Sequence, residues 1–161
     1  MSCFTEMTAF LFDKNKISKI VDVPPKLCDW DFSSQGLKTI PDLSSAKSIV
    51  SLNLSNNSLK DLDVPKLPIT LKELYIGGNN ITSVPDMSKF TLLTVFNFDM
   101  QKMLKIGTLP LQIDKQIEKL DYNNSKLTEI PDISTLKSVR TLKLQNNGIR
   151  ALDVSRLPAS L

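Results

Sequence analysis

The chain has 161 residues, a mass of 18.0 kDa and a formal net charge of +3, which is the size of one domain able to enclose a core. No apolar stretch approaches the roughly 20 residues that cross a bilayer, and scattered lysines at so small a net charge do not make a nucleic-acid footprint. Histidine is absent, which removes the commonest general base and zinc ligand, and two cysteines, Cys3 and Cys28, cannot hold a four-ligand metal by themselves. They leave open one disulfide near the N-terminus or simply two thiols, since spacing alone cannot bring the two sulfurs together. Residues 1–6 read as a short lead-in without a basic start or a small-residue cleavage pattern, so a secretory signal is not expected. That favours a cytoplasmic address.

From residue 7 to residue 161 the chain repeats itself. Ile49 opens the run IVSLNLSNNSL, whose skeleton is apolar at Ile49, Leu52, Leu54 and Leu59 with an amide at Asn57. The same skeleton returns as LKELYIGGNNI from Leu71 and as VRTLKLQNNGI from Val139. Weaker copies open at Met7, Leu27, Leu93 and Ile117. The amide slot is then filled in chain order by Asn15, Gln35, Asn57, Asn79, Gln101, Ser125 and Asn147, so about seven repeats are expected, followed by an incomplete eighth that begins at Leu161. A longer rhythm overlies this one. Ile40-Pro41-Asp42, Val84-Pro85-Asp86 and Ile130-Pro131-Asp132 occupy alternate repeats, and Leu67-Pro68 and Leu157-Pro158 mark the repeats between.

Each skeleton predicts one short strand. With alternation of period two, Leu52 and Leu54 face inward, while Ser51, Asn53 and Ser55 face outward. A single repeat cannot bury its own leucines, so successive turns must stack into one core. The amide slot answers a hydrogen-bonding need where the chain leaves the strand and its backbone loses ladder partners, since a buried amide both donates and accepts. On the convex side, apolar residues three apart in the Ile-Pro-Asp repeats (Ile130, Ile133, Leu136, Val139) predict a short 3₁₀ turn. Asp42, Asp86 and Asp132 are placed to cap that turn. The Leu-Pro repeats are expected to run more extended, because proline disfavours helix in the residue before it.

These motifs resemble the leucine-rich repeat family over nearly the whole chain. The resemblance implies a curved right-handed solenoid of the α/β class, mostly β with short 3₁₀ or helical convex turns and a parallel concave sheet. It also implies a binding role: such proteins generally hold another protein on the concave face. Outward strand positions available for this are Asp29, Asp31, Asn53, Glu73, Tyr75, Asn97, Asp121 and Lys143. Acidic groups gather early (Asp29, Asp31, Glu73) and basic ones late (Lys119, Arg140, Lys143). A partner is therefore expected to lay its basic portion near Asp29 and Asp31 and to be anchored by Tyr75.

No catalytic constellation is evident. Ser and Cys have no histidine partner, Gly77-Gly78 ends a strand rather than opening a helix, and Asp29 with Asp31 lacks the deep cleft that glycosidase chemistry needs. The expectation is a non-catalytic protein-interaction module without cofactor or metal. Two alternatives stand beside it. The alternating Leu-Pro-x-Ser-Leu and Ile-Pro-Asp-Leu-Ser wording looks like the repeat arrays joined to kinase domains in some eukaryotic microbes, which implies a fragment of the sensor or ectodomain of a larger receptor-like protein. Because solenoids need polar caps and none is evident beyond Leu157, the array could instead be a spacer, or an oligomerisation segment that associates end to end. Four Asn-x-Ser/Thr sequons, at Asn53, Asn56, Asn80 and Asn123, do not by themselves establish secretion in a chain so rich in these residues.

Overall fold

A computed structural model describes residues 27–82, 85–99 and 117–161. Within them the chain winds as a solenoid with one three-residue strand per turn: β1 (Asp29–Asp31), β2 (Ser51–Asn53), β3 (Glu73–Tyr75), β4 (Val95–Asn97), β5 (Lys119–Asp121) and β6 (Thr141–Lys143). All neighbours pair in parallel, in sequence order, as one sheet. The register places Trp30, Leu52, Leu74, Phe96, Leu120 and Leu142 side by side. The middle residue of every strand points inward, and from Trp30 to Leu120 each is buried. They join Phe32, Leu54, Ile76, Phe98 and Tyr122 from the next inward position in one continuous core. Its aromatic members meet directly: Trp30 stacks on Phe32 at 4.7 Å between ring centroids, and Phe98 meets Tyr122 edge-on at 6.4 Å. The repeat that opens at Met7, the ladder positions Asn15 and Gln101, and Cys3 lie outside the described residues. Cys28 is buried and disulfide-bonded.

The strands other than β4, whose following turn lies outside the described residues, each end in a sharp turn whose cause is legible residue by residue. Ser34, Asn56, Gly78, Asn124 and Asn146, one place before the amide slot, take a left-handed backbone with φ between 55° and 67°. Asparagine and glycine adopt that conformation most readily. The slot residue then stitches two turns together. The Asn57 side-chain oxygen accepts from the Gln35 and Leu37 amides of the preceding turn, both at 3.0 Å. Its NH₂ donates to the Phe32 carbonyl at 2.8 Å and the Leu54 carbonyl at 2.9 Å. Asn147 repeats all four bonds one turn from the other end of the described array, with Ser125, Leu127, Tyr122 and Leu144. Asn79 likewise accepts from the Leu59 amide at 3.1 Å and donates to the Leu54 and Ile76 carbonyls.

Two slots depart from asparagine, and the backbone departs with them. Ser125 donates to the Asn123 carbonyl at 3.2 Å and, at 3.4 Å, to that of Phe98. Gln35 donates to the carbonyl of its neighbour Ser33, and its side-chain oxygen is buried without a partner among the described residues. In both turns the following residue is also left-handed, Gly36 at φ 68° and Lys126 at φ 57°. The turns built on Asn57, Asn79 and Asn147 need only one such residue.

The convex side reverses one expectation. Among the described residues the 3₁₀ helices are Val64–Lys66 and Val154–Arg156, both in Leu-Pro turns. The Ile-Pro-Asp segments at 40–46 and 130–136 contain turns but no helix. The proline restricts only its predecessor: Leu67 and Leu157 are extended, with ψ of 142° and 147°, which ends each helix without preventing it upstream. In the Ile-Pro-Asp segments a single bond, Ala46 to the Leu43 carbonyl at 3.0 Å or Leu136 to Ile133 at 3.0 Å, makes one turn and stops. An extended chain also repeats every three residues, so the spacing of Ile130, Ile133 and Leu136 satisfies burial without a helix. Asp42, Asp86 and Asp132 do cap these turns, accepting from the amides of Ser44, Ser88 and Ser134 at 3.0, 2.8 and 3.2 Å.

Candidate functional site

Parallel, in-register strands convert one outward position per turn into a row. The row Asp31, Asn53, Tyr75, Asn97, Asp121, Lys143 runs across the sheet beside the row Asp29, Ser51, Glu73, Val95, Lys119, Thr141. All eight residues expected on the concave face therefore stand in two adjacent lines. Their environments differ. Asp29 and Asp31 are exposed, and neither they nor Glu73 form an ion pair among the described residues.

Tyr75 is held in place. Its hydroxyl donates to Glu73 Oε2 at 3.0 Å, and the same oxygen accepts from Ser51 Oγ at 3.2 Å. Partial burial, then the Glu73 bond and charge, push the phenol pKa above its ordinary value, so Tyr75 is a neutral donor fixed by its neighbour two residues away. A ring held this way loses little freedom on binding.

Several of the other residues have work within the fold. Asp31, Asn53 and Asp121 each accept the amide two residues on, from Ser33 at 2.7 Å, Ser55 at 3.0 Å and Asn123 at 3.3 Å. These Asx turns bend the chain out of the strand. Asp121 is buried, unlike its neighbours in the row, and its Oδ2 lies 2.9 Å from Lys143 Nζ. That bond raises the Lys143 pKa. Asp121 and Lys143 therefore present one neutralised pair to the face.

Asp99 was not among the expected site residues and belongs with them. It is half-buried beside Gly77, and a Cβ at Gly77 would run into its carboxylate. Burial first, then the nearby Asp121 charge, raise its pKa, and Lys143 opposes the shift. The signal available in the sequence was the pairing of slots: Ser33, Ser55, Gly77, Asp99 and Asn123 share one position, and only glycine leaves room for the next turn's acid.

Among the described residues, no group of three or more His, Cys, Asp or Glu is placed to hold a metal ion, and no helix is long and apolar enough to cross a membrane. A solenoid whose described turns bury alternating apolar strand residues and in which Asn57, Asn79 and Asn147 bind the backbone of neighbouring turns belongs to a defined class, and this chain is a leucine-rich repeat protein. No protein-family model matches it. It is similar to keratocan of Danio rerio, 29% identical over 88% of this chain and 43% of that protein. It is also similar to the protein phosphatase 1 regulatory inhibitor subunit PPP1R7 homolog of Arabidopsis thaliana, 23% identical over 83% of this chain and 42% of that one. Podocan-like protein 1 of Homo sapiens is 30% identical over 70% of this chain and 22% of its own length. The chain thus spans less than half the length of these relatives.

Proposed function

We propose that this chain is a non-catalytic module that binds a protein partner on the concave sheet face. The observation that carries the reading is the pair of side-chain rows, one residue per turn in each, standing over a core to which they contribute nothing. The similarity to a protein described as a phosphatase regulatory inhibitor subunit supports a role exercised through contact with another protein. Tyr75, fixed by Glu73, is the anchor. The carboxylates of Asp29 and Asp31, which form no ion pair among the described residues, receive the basic portion of the partner, and the Asp121–Lys143 pair marks the less charged end of the footprint.

Photo-crosslinking in the native cell tests this. A photoreactive residue at Asn53 or Asn97 is expected to give a discrete polypeptide adduct, and one at convex Lys47 is not. Adducts from Lys47 with none from the sheet positions would refute a concave site. Combined charge reversal of Asp29, Asp31 and Glu73 is expected to abolish the Asn53 adduct. An undiminished adduct would remove the electrostatic assignment while leaving the face itself in place.

A further inference from the structure

Asparagine is followed by glycine once in this chain, and the pair falls on a ladder position, Asn147-Gly148. In that dipeptide the backbone nitrogen reaches the side-chain amide carbon most easily, because glycine has no Cβ to obstruct the approach. The other asparagines of the described ladder precede residues with side chains, Asn57 before Ser58 and Asn79 before Asn80.

In the folded chain both partners of that attack are engaged. Asn147 Oδ1 accepts from the Ser125 and Leu127 amides, both at 3.0 Å, and Nδ2 donates to the Tyr122 and Leu144 carbonyls at 2.9 and 2.8 Å. The Gly148 N–H donates to the Leu127 carbonyl at 2.7 Å. Four bonds therefore hold the carboxamide in its slot, and a fifth commits the nucleophile to the preceding turn. Ring closure has to break them, which means opening the turn. Glycine is not demanded by the backbone here. Gly148 is absent from the left-handed residues, and a Cβ would meet the Leu127 carbonyl oxygen at 3.3 Å. Ser58 and Asn80 carry side chains at the same position, with their amides bonded in the same way to the Leu37 and Leu59 carbonyls at 2.8 Å.

We infer that Asn147 is a self-modification site gated by folding: the closed turn preserves the amide, and the opened turn converts it to aspartate or isoaspartate. The Gly148 nitrogen, losing its proton to solvent, bonds to Asn147 Cγ. The Cγ–Nδ2 bond breaks, and Nδ2 leaves as ammonia after taking a proton from solvent. Water then opens the cyclic imide at either carbonyl. Neither product rebuilds the slot. A carboxylate still accepts from Ser125 and Leu127 but donates nothing, so the Tyr122 and Leu144 carbonyls lose their donor and face a negative charge. Isoaspartate also inserts a methylene into the main chain of a tight turn. An excursion that stays open long enough is thus recorded irreversibly.

Incubation of the full chain in mildly alkaline buffer, followed by peptide mass spectrometry and enzymatic methylation of isoaspartate, tests the inference. In guanidinium chloride, residue 147 is expected to convert ahead of every other asparagine. In native buffer its conversion is expected to be about tenfold slower or more, since only the open fraction reacts. Gly148→Ser, which copies the Asn57-Ser58 pair, is expected to remove the fast conversion in denaturant, where its own folding is immaterial. Asn147→Asp stands in for one product and is expected to lower the urea midpoint more than Asn146→Asp does. Equal rates in native and denaturing buffer overturn the gating. An Asn147 that survives in denaturant, or fast conversion that persists in Gly148→Ser, overturns the site. An Asn147→Asp chain no less stable than Asn146→Asp overturns the consequence for the ladder.

Discussion

At the scale of the residue, the ladder amides carry more of the fold than their size suggests. Asn57 serves two amides and two carbonyls across two turns. Alanine there strands buried polar groups at about 1–3 kcal/mol each. The expected result is a clear drop in the urea midpoint for Asn57→Ala, and a smaller one for Asn147→Ala, whose bonds lie where water can replace them. Asp99 acts in the opposite direction. Its folded-state pKa is raised, chiefly by burial, so the folded protein holds the proton more tightly than the unfolded chain does. Stability from this group is present at low pH and is lost as pH rises from the ordinary carboxylate value through the raised one. Asp99→Asn is therefore expected to raise the thermal midpoint at neutral pH and to have no such effect near pH 3, as differential scanning calorimetry at the two pH values would show.

At the scale of the element, a strand of three residues has no stability of its own, and each depends on the turn that follows it. Leu52 and Leu142 occupy the same register position, yet Leu52 is fully buried and Leu142 is not. Truncation of Leu52 to alanine is expected to cost about 2–5 kcal/mol. The same change at Leu142, which is only partly buried, should cost well under half as much in denaturant unfolding of these 161 residues. Equal losses would refute the link between burial and cost at this register position. The convex elements teach a different lesson. Apolar spacing of three was read as a helix signal at Ile130 and Ile133, whereas burial alone imposes it there. Among the described residues the helices arise instead at Val64–Lys66 and Val154–Arg156, where consecutive i→i+3 bonds form: Lys66 to Asp63 at 3.0 Å and Leu67 to Val64 at 3.1 Å.

At the scale of the whole molecule, the parallel sheet, its register and the inward set from Trp30 to Leu120 were legible in the sequence, because one strand pattern recurs with little drift and each copy dictates the next. The two rows of the candidate site were legible for the same reason. What was not legible depends on contacts between turns that the skeleton does not encode. Asp121 is buried because Lys143, one turn later, lies over it. Asp99 enters the face because Gly77, one turn earlier, leaves a gap. The Tyr75–Glu73–Ser51 chain of bonds depends on rotamers rather than on spacing.

The ladder also has a direction, and this bears on how the protein is made. Each asparagine oxygen reaches back to amides belonging to the turn before it, so a turn acquires its last hydrogen bonds only from its successor. During synthesis, which proceeds from the N-terminus, the newest turn emerging from the ribosome carries bare amides and uncovered leucines until some twenty further residues follow. The nascent chain thus advances with one raw edge at its tip while everything behind is already sealed. The exposure that must be sheltered stays constant, however many turns are added.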